Sequence, residues 1–377
     1  MKITCNREKL LRAFGTVASV VPQRSPKPIL SNVKVMAEEE LVVLMGTDME
    51  NSIRSVASGV EVTEPGEALL PIDRFGSILR ESSDEKLSIE DDGKRILVQG
   101  DRSKFQLPSE DPAKFPAIGS FEEETYRELP APLFRELIRR TIFATDNENS
   151  RYALGGVLIE FENDNIFGIA TDGRRLAKQV GTVKAIGEQE ASDQMTIVPT
   201  RGMQLIDRAI AENDDEIRIL AKDNEFLVRS SRSTIHVRLA EGRFPNWRGV
   251  FPSKENLVKI DIAVGPFHAA VRQAAIVTSK DRRGVDFTFG DGKVMLSGHG
   301  AELGESHIEL PIPYDGGEIT VKLDPRFVSD FLKVLQPEQT FGIEIRDSKT
   351  AAVCTTDDGY SYVIMPLERK EPERKAK

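Results

Sequence analysis

The chain has 377 residues, 39% of them hydrophobic, a net charge of −10 and two cysteines, Cys5 and Cys354. That length allows two or three domains, no apolar run approaches the roughly 18 residues of a membrane-spanning helix, and two isolated cysteines supply no disulfide framework. The first residues carry charges where a secretory leader would be apolar, so a cytoplasmic protein in a reducing compartment is expected, with no membrane partner.

In chain order, a helix is expected over residues 7–21, where Leu10, Leu11, Phe14, Val17, Ala18 and Val21 recur at helical spacing. Pro22, Pro26 and Pro28 stop it. Strands are expected over 29–36, 41–47 and 53–60, then a helix over 72–81 and strands over 86–90, 95–99 and 104–107. Asp91-Asp92-Gly93 signals a hairpin turn between two of them. The pattern then begins again: helix 131–143, strands 155–161, 165–171 and 176–183, helix 200–211, and three strands ending at Leu239. A third round starts near Leu257, with helices over 266–278 and 324–335, strands around 284–298, and a last strand over 360–365. Residues 368–377 have no apolar periodicity and read as a solvated, disordered tail.

The rounds are repeats in the strict sense. Arg102-Ser103 and Lys114-Phe115-Pro116 recur as Arg232-Ser233 and Arg243-Phe244-Pro245. Leu70-Pro71 before a helix recurs as Val198-Pro199 and, more faintly, as Val321-Lys322-Leu323. Gly46-Thr47-Asp48 recurs as Ala170-Thr171-Asp172. The expected fold is α+β: three repeats at 1–120, 126–249 and 250–367, each with two helices among short antiparallel strands, and the tail at 368–377.

Chemistry-bearing motifs are missing. No glycine-rich phosphate loop, no dinucleotide fingerprint and no nucleophile elbow occur. His236, His268, His299 and His307 are scattered, without metal-ligand spacing. No metal, no cofactor and no catalytic set is therefore expected. Asp48, Glu50 and Asp172 could form a carboxylate site, but the recurrence of the first as the third favours a role in a turn. Two readings remain open at this point: an enzyme using those carboxylates, and a non-catalytic repeat scaffold.

Charge is distributed unevenly. The six helical segments, taken as 7–21, 72–81, 131–143, 200–211, 264–280 and 324–335, hold fourteen Lys and Arg against seven Asp and Glu. With the helices at +7 in a chain of −10, everything else carries −17. A basic helix surface on an acidic molecule would attract a polyanion to one face only.

Several stretches resemble the bacterial DNA sliding clamp family, the beta subunit of the replicative DNA polymerase III. They are Ala170-Thr171-Asp172-Gly173-Arg174-Arg175-Leu176-Ala177, Glu241-Gly242-Arg243-Phe244-Pro245 and Tyr362-Val363-Ile364-Met365-Pro366-Leu367, with Arg24, Pro28-Ile29-Leu30-Ser31-Asn32 and Gly46-Thr47-Asp48 in the first repeat. The resemblance runs from Met1 to Leu367. It implies a non-catalytic processivity factor: three clamp domains per chain, and a head-to-tail homodimer forming a six-domain ring around double-stranded DNA. The helices would meet the phosphate backbone without reading sequence. The DNA contacts it implies are Arg24, Arg74, Arg80, Tyr152 and Arg201. It also implies a cleft for short linear peptides, lined by Arg151, Leu154, Thr171, Gly173, Arg174, Arg175, Leu176, Pro245, Val250, Phe327, Val363, Met365 and Pro366. The partners implied there are the replicative polymerase alpha subunit, the clamp loader and other clamp-motif proteins such as repair polymerases. For ring closure it points to Lys104, Phe105, Ile276, Val277, Glu302 and Glu305. This chain departs from the family in Arg174, where many members have His, in Ala153, where an aromatic often follows the first ring, and in Gly249, where Arg is common.

Overall fold

The computed structural model describes residues 1–146, 153–188, 195–253, 255, 257–279, 283–300 and 303–368. They contain six α-helices, α1 (Arg7–Ala18), α2 (Ile72–Glu81), α3 (Ala131–Thr141), α4 (Thr200–Ala209), α5 (Val264–Ala274) and α6 (Pro325–Lys333), two to each repeat. The strand pairs whose register is described are antiparallel. No helix among the described residues is long and apolar enough to cross a membrane.

Two compact units emerge, 1–135 with 183–240, and 136–182 with 241–377. Each therefore holds one terminal repeat and a part of the middle one. The reason is hydrogen bonding. In the first unit one sheet runs from the second repeat into the first: Ser233–Arg238 pairs with Asn51–Ala57, with Ile235 opposite Ile53. In the second unit Arg175–Thr182 pairs with Tyr360–Ile364, with Leu176 opposite Val363. The same kind of join is thus made twice, between successive repeats.

Within the first unit the helices lie over the sheets for reasons visible in their sequences. α1 buries Leu10, Phe14 and Val17, which share one face at helical spacing. Asn6 caps it, its side chain accepting from the Lys9 N–H at 3.1 Å. Phe14 meets Phe75 of α2 edge-on at 5.2 Å, and α2 buries Phe75, Gly76, Ile78 and Leu79. Phe75 has no exposed surface, so truncating it to Ala removes about 3–5 kcal/mol. In the second unit α6 starts at Pro325 behind the Asp324 cap, and Phe331 stacks on Tyr362 at 5.3 Å.

Local chemistry moves several boundaries from their expected places. The strand expected over 29–36 begins only at Asn32, because Pro28 opens a 3-10 turn, Pro28–Ser31. The strand expected over 53–60 is two strands, Asn51–Ala57 and Val60–Glu64, divided at Gly59 with φ +69°. Helix 7–21 stops at Ala18, and helices 131–143 and 266–278 end in 3-10 turns, Ile142–Ala144 and Ala275–Val277. Strands Val258–Ala263, Gly304–Pro311, Thr340–Ile345 and Ala352–Thr355 of the last repeat were not anticipated individually. The hairpin at Asp91-Asp92-Gly93 forms as expected: Gly93 takes φ +81° and Asp92 Oδ1 accepts from the N–H groups of Lys94 and Arg95. The tail beyond Glu368 lies outside the described residues.

Candidate peptide groove and nucleic-acid face

The positions implied for a peptide cleft centre on a tight turn. Thr171 Oγ1 donates to the Arg175 carbonyl at 2.6 Å and accepts from the Gly173 N–H at 3.1 Å. Asp172 Oδ1 accepts from the N–H groups of both Arg174 and Arg175 at 3.0 Å. Gly173 has φ +82°, a conformation that costs glycine nothing. The equivalent turn of the first repeat repeats these bonds. Thr47 Oγ1 donates to the Asn51 carbonyl at 2.8 Å and accepts from Met49 N, while Asp48 Oδ1 accepts from Glu50 N and Asn51 N. Asp48 and Asp172 are thus committed to their turns, as their recurrence suggested, and Glu50 stands exposed beside the first.

Two adjacent arginines leave the second turn with opposite fates. Arg174 is exposed, and its carbonyl accepts from the Met365 N–H at 2.9 Å, which sets the two residues side by side. Arg175 is turned inward. Its guanidinium donates to Asp172 Oδ2 at 3.0 Å, Asp330 Oδ2 at 2.7 Å and the Phe143 carbonyl at 2.7 Å. Its side chain is only 10% exposed. Burial works against its charge, but Tyr362, Asp330 and Asp172 around it more than offset that and hold it firmly protonated. Arg175 therefore organises the floor and Arg174 faces solvent at the rim.

The remaining positions implied for the cleft divide between surface and core. Met365 is 44% exposed and Val250 39%, and Phe327, Pro245 and Pro366 are half-buried. Leu154, Thr171, Leu176 and Val363 lie beneath, buried. Phe327 is fixed from below by the Tyr362 hydroxyl, which donates to its carbonyl at 3.1 Å. Leu154 and Pro245 are drawn together by the Ala153 N–H, which bonds the Arg243 carbonyl at 3.2 Å. Val250 ends the 3-10 turn Trp247–Val250, and Arg151 lies outside the described residues. Three residues that hold Arg175 and Phe327 in place were not among the implied cleft positions: Asp330, Tyr362 and Phe143. A signal existed for the first, since Asp330 follows Phe327 by three positions on one helix and so shares its face.

The positions implied for DNA are also placed. Arg24 is exposed in the loop after α1, and Arg74 and Arg80 are exposed on α2. Arg201, on α4, reaches back to the first repeat, with Nε 3.3 Å from Asp48 Oδ2 and Nη2 donating to the Val20 carbonyl. In this unit α1 packs against both α2 and α4, so helices from two repeats share one surface. Lys9, Arg12, Arg74, Arg80, Arg201 and Arg208 are all exposed on those three helices. Tyr152 lies outside the described residues.

At the expected interface positions, Lys104 and Phe105 are exposed on Lys104–Pro108. Ile276 is 76% exposed, Val277 is half-buried, and Glu305 is exposed, with one carboxylate oxygen 3.0 Å from His299 Nδ1. Glu302 lies outside the described residues. Leu303, 57% exposed just before the strand Gly304–Pro311, is an apolar neighbour that the sequence reading passed over within a glycine-rich stretch. Among the described residues no group of three or more His, Cys, Asp or Glu is placed to hold a metal ion.

Comparison with known proteins gives these features a family. Three profiles match in succession: the N-terminal domain of the DNA polymerase III beta subunit over residues 1–119, its central domain over 128–246 and its C-terminal domain over 248–368. The beta sliding clamp of Pseudomonas putida is 28% identical, across 97% of this chain and 100% of its own length. That of Escherichia coli is 27% identical, also across 97% of this chain and 100% of its own. The crystal structure of the DNA polymerase III subunit beta from Pseudomonas aeruginosa superposes with a TM-score of 0.88 at 27% identity, covering 98% of this chain and 100% of that one. The Bacillus subtilis sliding clamp, at 21% identity and a TM-score of 0.89, shares the fold. This chain belongs to the DNA polymerase III beta subunit family.

Proposed function

We propose that the chain is a processivity factor, the non-catalytic clamp subunit of a DNA polymerase holoenzyme, which pairs with a second copy to enclose double-stranded DNA in a six-domain ring. The observation that carries ring closure is the twice-repeated strand join. Ser233–Arg238 pairs with Asn51–Ala57, and Tyr360–Ile364 with Arg175–Thr182. The counterpart of the first strand of each pair in the first repeat is Lys104–Pro108, and that of the second in the last repeat is Gly304–Pro311. Among the described residues both of these end their sheets. A free strand edge is a template for another chain. A two-fold dimer would make the same join twice more and pair these two edges. The apolar residues exposed there, Phe105 and Ile276, suit such an interface.

The exposed basic helices support contact with the DNA backbone, which carries no sequence information and so permits sliding. Enclosure, rather than affinity, holds such a ring on its duplex, and that makes a net charge of −10 tolerable. The groove of the second unit supports binding of short peptides with apolar ends, and its occupants would be the polymerase alpha subunit, the clamp loader and repair polymerases in turn. The domains are read as 1–120, 126–249 and 250–367, and the compartment as the cytoplasm. Light scattering tests closure: twice the chain mass is expected at micromolar concentration, and a monomer would defeat the ring.

A further inference from the structure

The junction of the first two repeats contains a cavity of about 580 Å³ whose lining includes no groove residue and none of Arg24, Arg74, Arg80 and Arg201. It lies between α1, α4 and the paired strands Asn51–Ala57 and Ser233–Arg238. Four cations line it, Lys9, Arg12, Arg208 and Arg232, with Glu212 the one carboxylate of its lining. Hydroxyls of Thr16, Ser55, Ser58 and Ser233 line it as well. None of the four cationic side chains makes an ion pair or side-chain hydrogen bond among the described residues, and all four are exposed.

The second unit shows what the same junction looks like when filled. Thr47 and Thr171 hold the same turn 124 residues apart, and that offset carries Thr16 onto Arg140, Arg12 onto Glu136 and Ser55 onto Gln179. Arg140 is 2% exposed and occupies the junction. It donates to Gln179 Oε1 at 2.9 Å, pairs with Glu136 and Asp358 at 2.8 Å, and lies 5.0 Å from the centre of the Tyr360 ring. There one cation is buried and neutralised by two carboxylates. In the first unit the filling side chain has become Thr16, and the acid that would neutralise it has become the cation Arg12. Space has been opened and its charge reversed.

We propose that this cavity is a binding site for a phosphate-bearing anion. Four like charges converging on one cavity repel one another, and an anion relieves that repulsion while taking charge-assisted hydrogen bonds from guanidinium groups suited to phosphate oxygens. The volume accommodates more than one linked phosphate group, which favours a di- or triphosphate over the spaced phosphates of a nucleic-acid strand. The site shares no residue with the groove, and the inference does not depend on ring closure.

Titration calorimetry with inorganic pyrophosphate on the full chain tests it. Saturable binding at one site per chain is expected. Arg12→Ala with Arg208→Ala should weaken it at least tenfold, and Arg12→Lys with Arg208→Lys should restore most of it. Arg74→Ala with Arg80→Ala removes as much charge from the same helix surface and should leave it unchanged. All the substituted residues are exposed, and equal unfolding midpoints will show that each variant is folded. The same proteins titrated with a short DNA duplex separate the two phosphate sources. If only duplex binding falls in the pocket variant and pyrophosphate binding is unmoved, the cations belong to the DNA-contacting helix surface and the proposal is overturned. Equal losses of pyrophosphate binding in both variants, or no such loss in the pocket variant, would likewise overturn the proposal.

Discussion

The guanidinium carbon of Arg175 sits 4.4 Å from the centre of the Phe327 ring, which joins the turn of the second repeat to the first turn of α6. The contact orients an aromatic wall of the groove while Asp172 and Asp330 hold the charge. Its neighbour Arg174 has no such duty. Arg175→Ala is therefore expected to cost about 3–5 kcal/mol of stability, because it removes the cation that Asp172 and Asp330 share in a part-buried site. Arg174→Ala should leave the unfolding free energy within about 0.5 kcal/mol of wild type yet weaken binding of a polymerase-derived peptide several-fold. Urea unfolding and peptide anisotropy on the two variants check the contrast.

Ring closure makes a prediction for exposed apolar residues. Ile276 stands on the 3-10 turn that packs over the edge strand Gly304–Pro311, with Ser306 Oγ donating to the Ala274 carbonyl at 3.0 Å. Burying an Ile side chain is worth about 1.5–3 kcal/mol, so Ile276→Asp should raise the dimer dissociation constant tenfold or more. Phe105→Asp on the other edge should do the same. Sedimentation at several concentrations would measure both, and the monomer's unfolding should remain cooperative.

The fold was legible where the pattern is amphipathic and local. Residues 72–81 and 165–171 read correctly to the residue because their apolar spacing and flanking turns leave one choice. Gly304–Pro311 was missed because an edge strand needs no buried face, and its charged residues alternate with half-buried ones. The groove was legible only through resemblance: no spacing rule brings Arg175 to Asp330, which lies 155 positions away. The basic cavity was invisible for the same reason. Each of its cations reads singly as an ordinary solvated residue, and only the strand pairing of Ser233 with Ser55 gathers them.

Two histidines tie stability to pH. Burial lowers the pKa of His236, helped by Lys222 and opposed by Glu225 and the Gly119 backbone; burial, with Arg272 and Lys333, lowers that of His268. Each has a buried Nε2 without a hydrogen-bond partner. As pH falls below the ordinary value of 6.5, the unfolded chain takes up protons that the native protein resists, so stability is lost toward acid. His236→Gln should shrink the drop in unfolding free energy between pH 7.5 and 5.5. An undiminished drop would remove His236 from the explanation.

The cysteines should be inert in the native state. Burial pushes the Cys5 thiol up to about 12, despite its bond to the Leu87 carbonyl, and burial raises that of Cys354 as well. At pH 8 Cys5 would be thiolate in about one molecule in ten thousand. Ellman's reagent should find neither thiol in the folded protein over an hour and both in 6 M guanidinium. Rapid reaction of either in the native protein would place it at the surface.

The most direct test of the account is retention on DNA of different topology. With a clamp loader and ATP present, the protein should stay on nicked circular plasmid through gel filtration and be lost at once when a restriction enzyme opens the circle. Equal retention on circular and linear DNA would mean that direct affinity holds it, and would contradict the ring.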